Sequence, residues 1–198
     1  MDFFTSFDDA WAFFLARCEP LERFYDQFPT DEDSMLEGWI VEPSREVKAA
    51  AARLQESLQR FDWIDLMPEH FLHVWLGAPE RLGDAPQRWP ELAPFEIGYP
   101  RSNCFHDAVV VEVTQPVRRL VAGTQNDLPA YLPHMTVAVT RVEHPAAELR
   151  DTLTELREID FGVQAVAETK LVRFPGAQST LFQPWEVVET VRLGEPAS

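Results

Sequence analysis

Two short segments constrain the chain most, because each reads with a period of two. Leu72-His73-Val74-Trp75-Leu76 and Pro133-His134-Met135-Thr136-Val137-Ala138-Val139 alternate in the manner of strands whose faces differ. Successive strand side chains point to opposite faces, so Leu72, Val74 and Leu76 share one face, and Met135, Val137 and Val139 share one face of the second segment. Both faces are apolar and suited to backing by helices. His73 then shares its face with Trp75, and His134 shares its face with Thr136. Both imidazoles point away from the apolar layer.

The rest of the pattern alternates helix and strand without a regular βαβ beat, which argues for an α+β fold. Ser6 to Phe28 reads as one or two helices, with Ser6 and Asp9 as a capping box and Pro20 as a kink or end. Cys18 falls on the apolar side of that helix. A strand at Gly38–Val41 precedes an amphipathic helix capped by Ser44, with Val47, Ala51, Leu54, Leu58 and Phe61 on one face. Strands follow at His70–Leu76, Phe95–Gly98 and Ala108–Val113. The second half repeats the rhythm: a short helix from Pro116, a strand at Pro133–Thr140, a helix from Pro145, then strands near Val166–Phe174 and Trp185–Leu193. The first 35 residues form an added helical segment, and residues 36–198 form the main domain. The aromatic pairs Phe3/Phe4 and Phe24/Tyr25 read as core or lobe-covering contacts.

Charge and cysteine content narrow the function. With 33 acidic against 17 basic residues the net charge is −16. Nucleic-acid affinity rests largely on Lys and Arg neutralising phosphates, so tight binding to long RNA or DNA is not expected. A small anion in a locally basic cleft remains compatible with that surface. Cys18 and Cys104 belong to no C-x-x-C pair, and Cys104 lies in a turn-like stretch, so neither a disulfide framework nor a zinc site is expected. No basic n-region opens the chain, and no apolar run approaches the roughly 20 residues that span a bilayer. The expectation is a soluble, cytoplasmic monomer.

A single histidine on a strand is more often structural than catalytic. Two on matched strands, with these flanks, carry more. The chain resembles the 2H phosphoesterase superfamily, and within it the bacterial RNA 2′,5′-ligase-like branch, which holds two His-x-Thr/Ser motifs on strands related by duplication. The resemblance runs through Gly38-Trp39-Ile40-Val41-Glu42-Pro43, through Trp63 to His73, and through Leu132-Pro133-His134-Met135-Thr136. It continues in Asp160-Phe161-Gly162 and Lys170-Leu171-Val172-Arg173. It implies two lobes, each with a mostly antiparallel sheet, facing a central cleft with helices outside. It also implies metal-independent, cofactor-free phosphodiester chemistry on a nucleotide or RNA end bearing a 2′,3′-cyclic phosphate, or reversible 2′,5′ ligation. His73 and His134 would exchange the roles of general acid and base, with Thr136 donating to a phosphate oxygen.

One residue departs from that pattern. Trp75 stands where the family has Thr or Ser, and Gly77 and Val139 occupy places where basic residues are common. Losing one phosphate donor costs about 10²–10³ in rate if it acts as an oxyanion-hole group does. Trp75 either stacks on a base or fills the pocket. The alternative reading is therefore a catalytically weak nucleotide or phosphate sensor. Arg141 and Arg173, near strand ends, are candidates for a phosphate contact, against the plainer reading of exposed arginines paired with carboxylates. His106 and His144 read as surface residues, and His70 faces away from His73 or lies in a loop.

Overall fold

The first two helices begin where short polar side chains can satisfy free amides. In a computed structural model of the chain, which describes residues 4–127 and 131–194, the Ser6 hydroxyl accepts the Asp9 amide at 3.0 Å and opens α1 (Phe7–Ala16). The Ser44 hydroxyl accepts the Val47 amide at 3.3 Å and opens α2 (Arg45–Leu58), which buries Val47, Ala50, Ala51, Leu54 and Leu58. α1 ends before Pro20, and a single 3₁₀ turn, Phe24–Gln27, stands in place of a second helix. Cys18 consequently lies beyond the helix and is exposed, not on its apolar side. Phe3 and the last four residues of the 36–198 segment lie outside the described residues.

The strands are β1 (Met35–Val41), β2 (Ile64–Leu66), β3 (Val74–Gly77), β4 (Phe95–Gly98), β5 (Ser102–Cys104), β6 (Ala108–Glu112), β7 (His134–Thr140), β8 (Val163–Val166), β9 (Glu168–Pro175) and β10 (Glu186–Arg192). Between them lie two four-residue helices, α3 (Pro79–Leu82) and α4 (Ala85–Arg88), and the longer α5 (Ala147–Glu155). Three sequence expectations change here. The strand expected from His70 starts only at Val74, because Pro68 opens a 3₁₀ turn, Glu69–Phe71, that takes up His70. Cys104 is in β5 and buried, since the turn is confined to the residues between Cys104 and Ala108. The strand expected near Val166–Phe174 is β9, with its start moved to Glu168, because Val166 ends β8, which pairs in a different sheet.

Among the described residues, β10, β9, β1, β3, β7, β6 and β5 lie side by side in antiparallel order, β2 also pairs with β7, and β4 pairs with β8 in a second sheet. The large sheet has two halves. β1, β3, β9 and β10 form one, and β2, β5, β6 and β7 form the other; Val74 opposite Met135 is the single residue pair that joins β3 to β7. Everything expected of the two histidine strands therefore meets at this seam. On one side of it Val74, Leu76, Met135 and Val137 are fully buried. There α2 packs on β2 and β7, and the Gln55 amide donates to the carbonyls of Met67 (2.7 Å) and Val137 (2.8 Å).

The N-terminal segment is tied to the β5–β6 half. Asn103 donates to the Phe7 carbonyl at 2.9 Å and to Glu112 at 2.8 Å, while Arg101 bridges Asp8 and Glu112. Glu112 is buried and carries a second ion pair, with Arg157, at 2.6 Å. Phe14 and Leu21 of this segment belong to the common core. No helix among the described residues is long and apolar enough to cross a membrane.

Candidate functional site

The face opposite the helices opens into a cavity of about 680 Å³, within the usual range for a small-molecule site. His73, Trp75, His134 and Thr136 all line it. The register explains how. Val74 faces Met135 across the seam, so one step either way sets His73 toward Thr136 and Trp75 toward His134. Two chain segments thus contribute an imidazole and a second side chain each, in opposite order, around one residue pair.

The imidazoles are held alike. The Nδ1 of His73 donates to the Phe71 carbonyl at 2.7 Å, and the Nδ1 of His134 donates to the Leu132 carbonyl at 2.7 Å. A carbonyl oxygen can only accept, so in each ring the proton sits on Nδ1. In the neutral ring Nε2 is then a lone-pair acceptor, and neither Nε2 has a hydrogen-bond partner among the described residues. Each ring also meets an aromatic edge: Phe71 lies 5.4 Å from His73 and Phe105 lies 4.9 Å from His134, both nearly perpendicular.

Burial disfavours the charged imidazolium. It pushes His73 down to about 4, against the upward pull of the Phe71 carbonyl, and the nearby His134 lowers it further. His134 is also held below its ordinary value by burial, partly offset by the Leu132 carbonyl. Both rings are neutral at pH 7 in the free protein. The Thr136 hydroxyl makes no side-chain hydrogen bond among the described residues and is available to a ligand.

Trp75 leans toward β1. Its indole occupies the space over Gly38, where an added Cβ would come within 1.8 Å of the ring. It meets His73 at 6.0 Å and Phe174 at 6.3 Å, edge-on in both cases, and its carbonyl accepts the Tyr131 hydroxyl at 2.8 Å. The ring is half-buried and forms part of the cavity wall.

Two of the residues named from sequence stand elsewhere. Arg141 is exposed, donates to the Asp62 carbonyl and pairs with Asp65 at 3.5 Å. Arg173 pairs with Glu37 through Nε at 2.6 Å and Nη2 at 2.5 Å. Neither lines the cavity, because the strand positions that carry them lead away from the seam. His70 is exposed and donates to the Phe182 carbonyl at 3.1 Å, and His144 stacks on Trp63 at 4.1 Å.

Other lining residues were not read as site residues. His106 and Asp107 sit in the β5–β6 turn, and His106 is packed between Phe4 and Phe13 instead of lying on the surface. Burial and the Glu22 carboxylate raise Asp107 to about 6, while its Oδ2 accepts from Gln27 at 3.0 Å. Arg81, Asn126 and Tyr131 line the other end. No periodic signal marks any of them, because each comes from a turn, a short helix or a loop. Among the described residues there is no cluster of three or more His, Cys, Asp or Glu side chains arranged to hold a metal ion.

No family model matches the chain, and no curated protein matches it. Solved structures do. Protein TT0787 of Thermus thermophilus superposes with a TM-score of 0.57 at 18% identity, covering 81% of this chain and 99% of that one. E. coli LigT complexed with NADP+ gives 0.56 at 14% identity, over 81% of this chain and 99% of LigT. LigT complexed with 3′-AMP gives 0.54 at 15%, over 89% and 99%. At such identities the likeness establishes the fold: the chain is built as LigT is, with additions beyond it.

Proposed function

We propose that the chain is a phosphodiesterase of the two-histidine type, acting on the 2′,3′-cyclic phosphate of a nucleotide. The observation that carries this reading is the matched pair of imidazoles, each fixed through Nδ1 so that Nε2 is its only free nitrogen, lining one cavity with an uncommitted hydroxyl at Thr136. The shared fold with LigT, whose structures hold ATP, NADP+ and 3′-AMP, supports a nucleotide as the ligand class.

The chemistry follows from those nitrogens. One Nε2 takes a proton from water as the water oxygen bonds to phosphorus. The other, protonated, gives its proton to the ribose oxygen as that P–O bond breaks. The product is a 2′- or 3′-phosphomonoester, according to which bond breaks, and the two rings exchange roles with it. Thr136 donates to a non-bridging oxygen where charge grows. Since burial favours the neutral form of both rings, the acid takes up its proton from solvent as the ligand binds, because the phosphate's negative charge favours an imidazolium beside it. Ligation at a 2′-oxygen is the same ring opening with a 5′-hydroxyl in place of water: its oxygen bonds to phosphorus as the bond to the 3′-oxygen breaks, and the rings move the same two protons.

Purified protein incubated with 2′,3′-cyclic AMP and a chelator tests this. Turnover that disappears in His134→Ala supports it; undiminished turnover in that variant removes the histidine from the mechanism. A specific observation favours a second reading, a nucleotide sensor with weak catalysis: Trp75 supplies an indole where the matching position of the other strand supplies a hydroxyl. Saturable binding of 3′-AMP with no turnover of the cyclic nucleotide would select it.

A further inference from the structure

We propose that Arg81 forms a second anion subsite, at the end of the cavity beyond the histidines, which takes a phosphate other than the one the imidazoles address. The inference rests on the nucleotide reading and sharpens it: the ligand is a nucleotide with at least two separated phosphates.

Among the described residues, Arg81 is the one lysine or arginine that lines the cavity, and it is exposed there. Its guanidinium has no ion pair and no hydrogen bond with any described residue. Arg141 and Arg173, by contrast, are held by Asp65 and Glu37 outside the cavity, so Arg81 is the guanidinium that a ligand in the cavity can reach without displacing a carboxylate. A guanidinium is always charged and suits a phosphate through two parallel donors.

Its backbone is fixed, so the side chain starts from a defined point at the cavity's edge. The Arg81 amide donates to the Ala78 carbonyl at 3.0 Å, and its carbonyl accepts the Gln125 amide at 3.1 Å. Asn126 donates to the Leu76 carbonyl at 2.7 Å and fills the space where residue 77 would carry a Cβ, 2.0 Å from its amide nitrogen. Gly77, with φ of +142°, is what permits that contact. The loop through residues 124–127 therefore clamps the end of β3 and α3 together.

The cavity is polar along the strand direction. β3 runs from the seam toward Gly77 and Arg81, while β7 runs the opposite way, from His134 to Thr140. Six strand rises of about 3.4 Å separate the ends of β7, about 20 Å in all. At the far end the Thr140 amide donates to the Asp107 carbonyl, and Asp107 and Glu22 line the cavity. Glu22 is paired there with Arg17 at 3.7 Å, and among the described residues no lysine or arginine lines that end, so an anionic tail meets carboxylates at one end and the Arg81 guanidinium at the other. The direction of the bound nucleotide follows, with the second phosphate over α3.

Calorimetric titration of the full chain with adenosine 2′-monophosphate and adenosine 2′,5′-bisphosphate reads this out. The wild type should bind the bisphosphate about tenfold more tightly, as expected for one charge-assisted contact at an exposed site. In Arg81→Ala that ratio should fall to about one, with monophosphate affinity changed less than about twofold, since Arg81 does not touch the first phosphate. Arg81→Lys should keep part of the preference. A ratio unchanged in Arg81→Ala, or a wild type with no preference, overturns the subsite while monophosphate binding leaves the nucleotide reading intact. Failure of both nucleotides to bind overturns both.

Discussion

The two strands that meet at the seam make the same histidine and different neighbours. In each, an imidazole donates from Nδ1 to the carbonyl two residues back, at the same 2.7 Å, against an aromatic edge. Two residues further on, β7 offers the Thr136 hydroxyl and β3 offers the Trp75 indole. What the halves share is the proton-handling group and its tautomer; what they do not share is the group that would meet phosphate. The site is symmetric in acid–base chemistry and asymmetric in charge stabilisation, and each can be tested by itself.

The largest effect should come from the shared part. His73→Ala and His134→Ala are each expected to lower kcat for a 2′,3′-cyclic nucleotide by about 10²–10⁴. Near-equal losses would fit rings that act as partners in one proton transfer cycle. A large loss in one variant with full activity in the other would break the symmetry, and would assign that histidine to packing against Phe71 or Phe105. Far-UV circular dichroism of both variants checks that the sheet is kept.

Next in size is the unshared hydroxyl. Thr136→Val keeps the side chain's shape and removes the only hydroxyl of the matched positions; a loss of about 10²–10³ in kcat is expected if it meets developing charge. A loss confined to KM would instead make Thr136 a ground-state contact. The same residue shows how legible the site was. Period-two alternation alone put His73, Trp75, His134 and Thr136 on cavity-facing sides, because one buried face leaves a strand no other way to lie. Ser6 and Ser44 likewise announced their helices through the amides they cap.

Where side-chain position depends on tertiary pairing, sequence was silent or misleading. Arg141 and Arg173 had the right charge near strand ends, but Asp65 and Glu37 hold them away from the cavity. Arg81 had no pattern at all: Pro79 starts α3, and only the clamp from Gln125 and Asn126 brings that helix to the cavity's end. The β5–β6 turn looked like surface because His106 and Asp107 are polar and sit between two strands. The N-terminal Phe4 and Phe13 cover His106, a long-range contact that no local window contains.

A pH profile tests the shared half at smaller scale. kcat/KM reports the free protein, in which burial lowers both histidines, His73 to about 4. One ring must carry a proton to serve as acid, and the protonated fraction falls as pH rises above the higher of the two depressed pKa values. The maximum of kcat/KM should therefore lie below pH 6.5, with about a tenfold decline per pH unit on its alkaline side. A maximum at pH 8 would mean that the rings are not desolvated in solution as their surroundings imply.

The smallest effect should come from giving β3 the group that β7 has. Trp75→Thr places a hydroxyl toward His134, where a second phosphate donor would raise kcat. It also removes an aromatic face worth about 1–3 kcal/mol if a base stacks on it, and so raises KM. The two changes oppose each other, and kcat/KM should shift by less than about tenfold. The direction of each part is what informs. A higher kcat with a higher KM makes the indole a binding surface that has displaced a catalytic donor. Unchanged values for both make it wall alone, held over Gly38. Gly38→Ala separates these further, because its Cβ would fall 1.8 Å from the indole and must displace the ring. If a base stacks on Trp75, that displacement should raise KM; if Trp75 is wall alone, KM should hold, and in both cases the pH profile set by His73 and His134 should stay unmoved.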